Sequence, residues 1–105
     1  MNKVKRGVVW TTTEPETFQN VYVGVSGPDD VILFQFWASQ DTTITVHGGD
    51  TVMGGRDESI SMMEGEERWI FLESGPYLTH NEAGKPCIHI SCDAYDIEYR
   101  AVQLI

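Results

Sequence analysis

The sequence predicts an all-β domain, either a β-sandwich or a jelly-roll-like barrel of about eight short antiparallel strands. No window of about a dozen residues keeps apolar side chains at helical spacing without a Gly, a Pro or a β-branched run. Alternating apolar and polar residues instead recur at intervals of roughly ten residues, separated by turn-forming Gly, Pro and Asp. The 105 residues fit one domain. We expect a flexible basic arm at residues 1–6 and a single β domain over residues 7–105.

Four strands are predicted in the first half of the chain, at Gly7–Thr13, Asn20–Ser26, Val31–Ala38 and Thr42–His47. The third is apolar almost throughout, which is typical of a central strand that is covered on both faces. Before it, Gly27-Pro-Asp-Asp30 has the composition of a turn. The fourth alternates, so that Ile44 and Val46 share one face.

The second half of the chain predicts strands at Glu58–Met63, Arg68–Leu72, Cys87–Cys92 and Tyr95–Ile105, and Tyr77–Thr79 is compatible with a further short one. Glu64-Gly-Glu-Glu67 is expected to be a tight hairpin turn. The last strand changes parity, because Tyr95, Ile97 and Tyr99 alternate but Val102 and Leu104 do not continue the series. A β-bulge near Arg100–Ala101 would bring both sets to the core.

These strands predict one continuous hydrophobic core. The side chains expected to be buried in it come from most of the predicted strands: Phe34, Phe36, Ile44, Val46, Ile60, Trp69, Phe71, Ile88, Ile90 and Ile97.

The charge balance argues against a nucleic-acid surface. Sixteen acidic against seven basic residues give a net charge of −9, whereas binding to nucleic acid needs clustered Lys and Arg. Three of the seven bases form one N-terminal cluster. We therefore expect partner binding by this cluster and by the segment behind it, which could add a strand to a partner's sheet: Lys3, Lys5, Arg6, Val8, Val9 and Trp10. The alternative is that residues 7–13 are simply the first strand of the domain.

Neither a secretory signal nor a membrane span is expected, since no apolar run approaches the ~20 residues that a span needs. Cys87 and Cys92 are five positions apart, so a strand places them on opposite faces, where they cannot bridge each other. Both cysteines are expected to be reduced. The sequence thus indicates a soluble protein that matures in a reducing cytoplasm.

No residue pattern indicates an enzyme. His47, Asp50 and Ser59 contain the residue types of a catalytic triad, but a serine nucleophile needs a strained turn and an oxyanion hole, and no Gly-x-Ser-x-Gly occurs. The chain is therefore expected to have no catalytic residue.

A metal site is also not favoured. His47, His80 and His89, with Asp50 or Glu82, have suitable side chains, and double-sheet barrels of the cupin type use such sets. Those barrels have a His-x-His pair within one strand, whereas Thr45 stands two residues before His47. We expect no metal and no cofactor, and a cupin-like metalloprotein is the least favoured alternative.

Two further groups of residues are candidates for contacts with a ligand or partner. The tryptophans Trp10, Trp37 and Trp69 could stack on sugar rings, but each lies in an apolar or alternating run, where a core position is expected. The glycine-rich loop lacks the Lys-Ser or Lys-Thr of a phosphate-binding loop. It is instead a candidate contact loop, with residues Gly48, Gly49, Gly54, Gly55 and Arg56.

The order of motifs resembles a family of viral proteins. An extended N-terminal strand is followed by Phe-Gln-Phe-Trp (34–37), Thr-Ile-Thr-Val-His-Gly-Gly-Asp (43–50), Gly-Glu-Glu-Arg-Trp-Ile-Phe-Leu-Glu-Ser-Gly (65–75), Ile-His-Ile-Ser (88–91) and Ile-Glu-Tyr-Arg-Ala-Val-Gln-Leu (97–104). From about Val31 to Leu104 the chain resembles the small virion proteins of tailed bacteriophages, nearest to the head decoration, or capsid cement, proteins.

This resemblance implies a non-enzymatic structural protein that binds and stabilises an assembled capsid. The implied partner is the major capsid protein, the implied assembly a trimer, and the implied location the virion, after synthesis in the bacterial host cytoplasm. The family has no catalytic residues to carry over. The main alternative is a carbohydrate- or ligand-binding β-sandwich.

Overall fold

The computed structural model describes residues 8–10, 14–50, 56–94 and 97–104. It contains ten strands in these ranges, and the only helix is a single 3-10 turn at Gly75–Tyr77. In chain order the strands are β1 (Val8–Trp10), β2 (Glu16–Phe18), β3 (Asn20–Gly24), β4 (Val31–Ala38), β5 (Thr42–Val46), β6 (Glu58–Met62), β7 (Glu67–Glu73), β8 (Leu78–His80), β9 (Pro86–Cys92) and β10 (Ile97–Leu104).

The strands form two antiparallel sheets that pack as a β-sandwich, which confirms the predicted fold class. The first sheet has the order β1-β10-β4-β7, and β2 also pairs with β10. The second has the order β3-β9-β5-β6, and β8 also pairs with β9. The two sheets do not close on each other, so the barrel alternative is wrong. The predicted count of about eight omitted the short strand β2.

Alternation along the strands separates an inner from an outer face. On β4 the even-numbered residues Ile32, Phe34 and Phe36 are fully buried, and Ile44 and Val46 on β5 oppose them from the second sheet. Ile88 and Ile90 on β9 and Ile97 on β10 complete the centre of the core. Ile60 is half-buried at its margin.

Two of the predicted core residues, Trp69 and Phe71, lie outside the core. Trp69 is 48% exposed and Phe71 66% exposed, because β7 turns Ile70 and Leu72 inward instead. Pairing with β4 decides this, since Ile70 lies opposite the buried Phe34. All four residues are apolar, so alternation alone could not say which pair faces the core.

The bulge predicted near Arg100–Ala101 is also absent from the pairing of β10 with β4. The register runs without interruption from the pair Ile97 and Ala38 to the pair Leu104 and Val31. Ala101 therefore continues the inward series, and Val102 lies on the outer face opposite Leu33. Tyr95, which began the predicted alternation, lies outside the described residues.

Both predicted turns are present, but the second is not a hairpin turn, because the strands that it joins, β6 and β7, belong to different sheets. Asp30 closes the first turn, because its Oδ2 accepts hydrogen bonds from the backbone N–H groups of Ser26 (2.5 Å) and Gly27 (3.0 Å). In the second turn Gly65 has a φ of +85°, a backbone conformation that favours glycine. Within the described residues, no helix is long and apolar enough to cross a membrane.

Candidate functional site

An apolar surface covers much of the outer face of the first sheet. It comprises the exposed Trp69 and Phe71, the half-buried Leu33 and Trp37, and Val102, which faces the same side but is buried, and we call it the aromatic face. The strand register places Leu33 of β4 between Phe71 of β7 and Val102 of β10. Phe71 and Trp69 lie two residues apart on β7, so their exposed rings are neighbours on the same side of the sheet.

A line of hydrogen bonds crosses the same face. The Arg100 guanidinium Nη2 donates to Gln35 Oε1 over 2.9 Å, and Gln35 Nε2 donates to Glu67 Oε1 over 2.8 Å. The Arg100 guanidinium also lies over the Trp37 ring, 5.9 Å from its centroid. Because these contacts join β10, β4 and β7, they hold polar and aromatic side chains in fixed positions beside the exposed rings.

The aromatic face has an acidic border along β7. Glu67 and Glu73 have the same parity as Trp69 and Phe71 and are exposed at the two ends of the strand. An apolar centre with a polar rim is the usual anatomy of a protein–protein interface. A large exposed aromatic patch also has a cost in solubility unless it is covered by a partner.

The N-terminal residues predicted to bind a partner divide into two groups. The backbone of Val8–Trp10 forms β1 and pairs with β10 of the same sheet, with Trp10 opposite Val102. This agrees with the alternative in which the segment is the first strand of the domain. Lys3, Lys5 and Arg6 lie outside the described residues, as do the side chains of residues 8–10.

Part of the glycine-rich loop is packed against the second sheet. The Gly48 N–H donates to Asp57 Oδ1 over 2.8 Å, and the Gly49 N–H donates to the Pro76 carbonyl over 3.0 Å. A side chain at position 49 would collide with the backbone of Leu78, so this position requires glycine. Arg56 is exposed, and Gly54 and Gly55 lie outside the described residues.

Three rings form a row on the outer face of the second sheet. Tyr22 of β3 stacks on His89 of β9, with ring centroids 4.4 Å apart, and His89 stacks on His47, 4.0 Å away. We call these residues the histidine row. Its members are held from both sides, because His89 Nε2 hydrogen-bonds Asn20 Oδ1 and His47 Nε2 lies 2.7 Å from Ser91 Oγ.

The electrostatic environment of the histidine row disfavours a charged His89. Burial of the ring, and secondarily the neighbouring His47, lower the pKa of His89 below its ordinary value of 6.5, although Asp57 acts in the opposite direction. Face-to-face stacking also makes simultaneous protonation of the two imidazoles unfavourable. The neutral form of His89 is therefore favoured near pH 7.

The histidines do not assemble into the sites considered from the sequence. His80 pairs with Asp50 over 3.4 Å, whereas His47 and His89 face each other ring to ring. No set of three metal-ligating side chains comes together in the described part of the chain. The residues considered for a catalytic triad have other partners. His47 contacts Ser91 rather than Ser59, and Asp50 Oδ1 accepts a hydrogen bond from Thr79.

Both cysteines are buried free thiols on opposite faces of β9, as the odd spacing predicts. Burial raises the pKa of Cys87 and of Cys92. Since the thiolate is the reactive form, these residues are inert packing elements near neutral pH.

Comparison with known proteins gives no match, whether against family models, curated proteins or solved structures.

Proposed function

We propose that this chain is a non-enzymatic structural protein that docks through its aromatic face on an assembled protein shell, as a phage head decoration protein does. The observation that carries the proposal is the exposure of Trp69 and Phe71 side by side on β7, the edge strand of the first sheet. Aromatic residues are the side chains most enriched at the energetic centres of protein interfaces, where burial of each ring contributes most to affinity.

The size and shape of this face suit a protein surface. The molecule measures 44 × 31 × 22 Å, so a broad face of the sandwich can supply the roughly 800 Å² per partner of a standard interface. The hydrogen-bonded line of Arg100, Gln35 and Glu67 keeps the surroundings of the rings ordered before binding. Pre-ordering of this kind lowers the entropic cost of association.

The identity of the partner rests on the resemblance to phage decoration proteins. The proposed partner is the major capsid protein, and the proposed location is the virion, after synthesis in the host cytoplasm. The trimeric state and the contribution of the basic arm at Lys3, Lys5 and Arg6 remain predictions of the sequence. An acidic chain of net charge −9 needs either cations or apolar contacts to approach an acidic shell, and the aromatic face provides the apolar contacts.

Co-sedimentation with empty heads, assembled from the proposed partner, a major capsid protein, tests the proposal. The double substitution Trp69→Ala and Phe71→Ala is expected to weaken binding at least about a hundredfold, because each lost hot-spot ring costs on the order of 2 kcal/mol. Met63→Ala is the matched control, since Met63 is 70% exposed and lies outside the aromatic face. It is expected to bind as the unchanged protein does.

Unchanged binding by the double variant would contradict docking through the aromatic face. A truncation that removes residues 1–6 separates the two candidate attachment elements. If binding falls only in the truncated protein, and its salt dependence falls as well, the basic arm carries the attachment instead.

A further inference from the structure

Tyr22 is an exposed aromatic ring that is fixed in orientation, on the sheet opposite to the aromatic face. It is 52% exposed, and one of its faces lies against His89 at an interplanar angle of 12°. His89 is in turn held by Asn20 and by His47. The Tyr22 ring therefore has little freedom to lose when a ligand stacks on it, which is the property of a pre-organised binding platform.

Tyr22 also forms one wall of a cleft of about 490 Å³. The other wall is the turn between β8 and β9, with His80, Asn81, Glu82 and Ala83. This volume lies within the range of roughly 300–1,000 Å³ that is usual for sites of small ligands. The cleft is separate from the aromatic face, because β3, β8 and β9 belong to the second sheet.

The turn that forms the second wall is internally braced. Asn81 Oδ1 accepts hydrogen bonds from the backbone N–H groups of Ala83 (2.9 Å) and Lys85 (3.0 Å). The Asn81 N–H donates to the Lys85 carbonyl over 3.0 Å, and Gly84 adopts a φ of +76° that closes the turn. With Oδ1 engaged, the Asn81 side chain offers its NH₂ group to a ligand, and Glu82 offers a carboxylate.

We propose that this cleft binds a neutral hexopyranose unit of a glycan. A pyranose has an apolar face of C–H groups, which can stack on the Tyr22 ring, and hydroxyl groups at its edge. Those hydroxyls can donate to the Glu82 carboxylate and accept from the Asn81 amide. One flat ring beside a few convergent polar groups is the combination that an amphipathic ligand of this size requires.

Charge and ring count exclude the two nearest alternatives in ligand chemistry. Glu82 within the cleft and Asp50 beside His80 disfavour an anionic ligand such as a phosphate ester. A quaternary ammonium is usually recognised by a cage of several Trp, Tyr or Phe rings, whereas Tyr22 is the single side chain of these three types among the described residues that line this cleft.

Saturation-transfer NMR with a panel of methyl glycosides, including glucose, galactose, mannose and N-acetylglucosamine, tests the proposal. At least one is expected to bind with a dissociation constant of about 10 mM or tighter. Tyr22→Ala should weaken that binding about tenfold, whereas Tyr22→Phe should retain it, because the ring face and not the hydroxyl makes the contact. Met63→Ala, remote from the cleft, serves as the control for nonspecific effects.

Three results would overturn the proposal. They are the absence of saturation transfer from every glycoside, equal binding by the Tyr22→Ala protein, and binding of tetramethylammonium in place of the sugars. None of these results bears on shell docking, since the head-binding experiment tests a different sheet. Retained thermal unfolding of the Tyr22→Ala protein ensures that a loss of binding reflects the cleft.

Discussion

Phe34 and Phe71 lie on strands that pair directly with each other, but they face opposite sides of the first sheet. Phe34 is fully buried and stacks with Phe36, their ring centroids 5.7 Å apart. Phe71 is 66% exposed on the aromatic face. Phenylalanine thus supports the core at position 34 and belongs to the proposed docking surface at position 71, so the two positions should differ in their contribution to stability.

Truncation of the two phenylalanines should separate these roles. Phe34→Ala is expected to lower the free energy of unfolding by about 3–5 kcal/mol, because it removes a buried ring and leaves a cavity. Phe71→Ala should lower it by less than about 1 kcal/mol, as is usual for an exposed position. Urea unfolding of both variants measures the difference. Equal costs would mean that Phe71 belongs to the core.

His89 should make the stability of the fold depend on pH near neutrality. Its pKa is lower in the folded protein than its ordinary value of 6.5, so the unfolded chain binds more protons as the pH falls below that value. The contribution of the neutral His89 ring to the free energy of unfolding is fully present above pH 6.5. It is lost as the pH falls through the pKa of His89 in the folded protein.

Urea midpoints measured from pH 7.5 to pH 5 check this dependence. The unchanged protein is expected to lose stability over this interval, and His89→Gln should reduce the slope. Asp93 and Glu66 have carboxyl groups whose pKa is lowered. Their effect on stability falls in a more acidic range, below their ordinary pKa values of 3.8 and 4.5. A slope that is identical in the His89→Gln protein would contradict the assignment.

At the scale of the elements, local patterns predict strands well and the choice of face poorly. The apolar run Val31–Ala38 is β4 with the predicted bounds, but only its inner face is fully covered, since Val31, Leu33 and Trp37 are half-buried. On β7 four consecutive apolar residues allow either parity. Which pair faces the core depends on the pairing of β7 with β4, a strand that is remote in the chain. Alternation within β7 carries no information about that pairing.

The last strand shows the same limit. The change of parity after Tyr99 predicts a bulge only if every large apolar residue of the strand faces the core. In the structure the inner position is taken by the small Ala101, which lies opposite Phe34 in the pairing of β10 with β4, and Val102 turns to the outer side of the sheet. The bulge is not needed because part of the outer face of this sheet is itself apolar.

The histidine row could not be found from the sequence for a related reason. Tyr22, His89 and His47 come from strands β3 and β9 and from the end of β5, which are far apart in the chain and adjacent only through sheet pairing. Their residue types gave one usable signal, the isolated histidine in Ile88-His89-Ile90, whose parity places it opposite to the buried isoleucines.

For the whole molecule, the two outer faces of the sandwich have different chemistry. The first sheet presents an apolar aromatic face with an acidic border, and the second presents the histidine row and the Tyr22 cleft. A molecule with two such faces can attach by one and remain accessible on the other. Shell docking through the first sheet would therefore leave the cleft open to solvent.

Hydroxyl-radical footprinting of the free and the head-bound protein tests most directly whether the aromatic face is the docking surface. Trp69, Phe71, Tyr22 and Met63 are all exposed in the single chain and carry side chains that react readily. We expect Trp69 and Phe71 to become strongly protected on the heads, while Tyr22 and Met63 stay as reactive as in the free protein. Unchanged reactivity of Trp69 and Phe71 on heads that have bound the protein would contradict docking through this face.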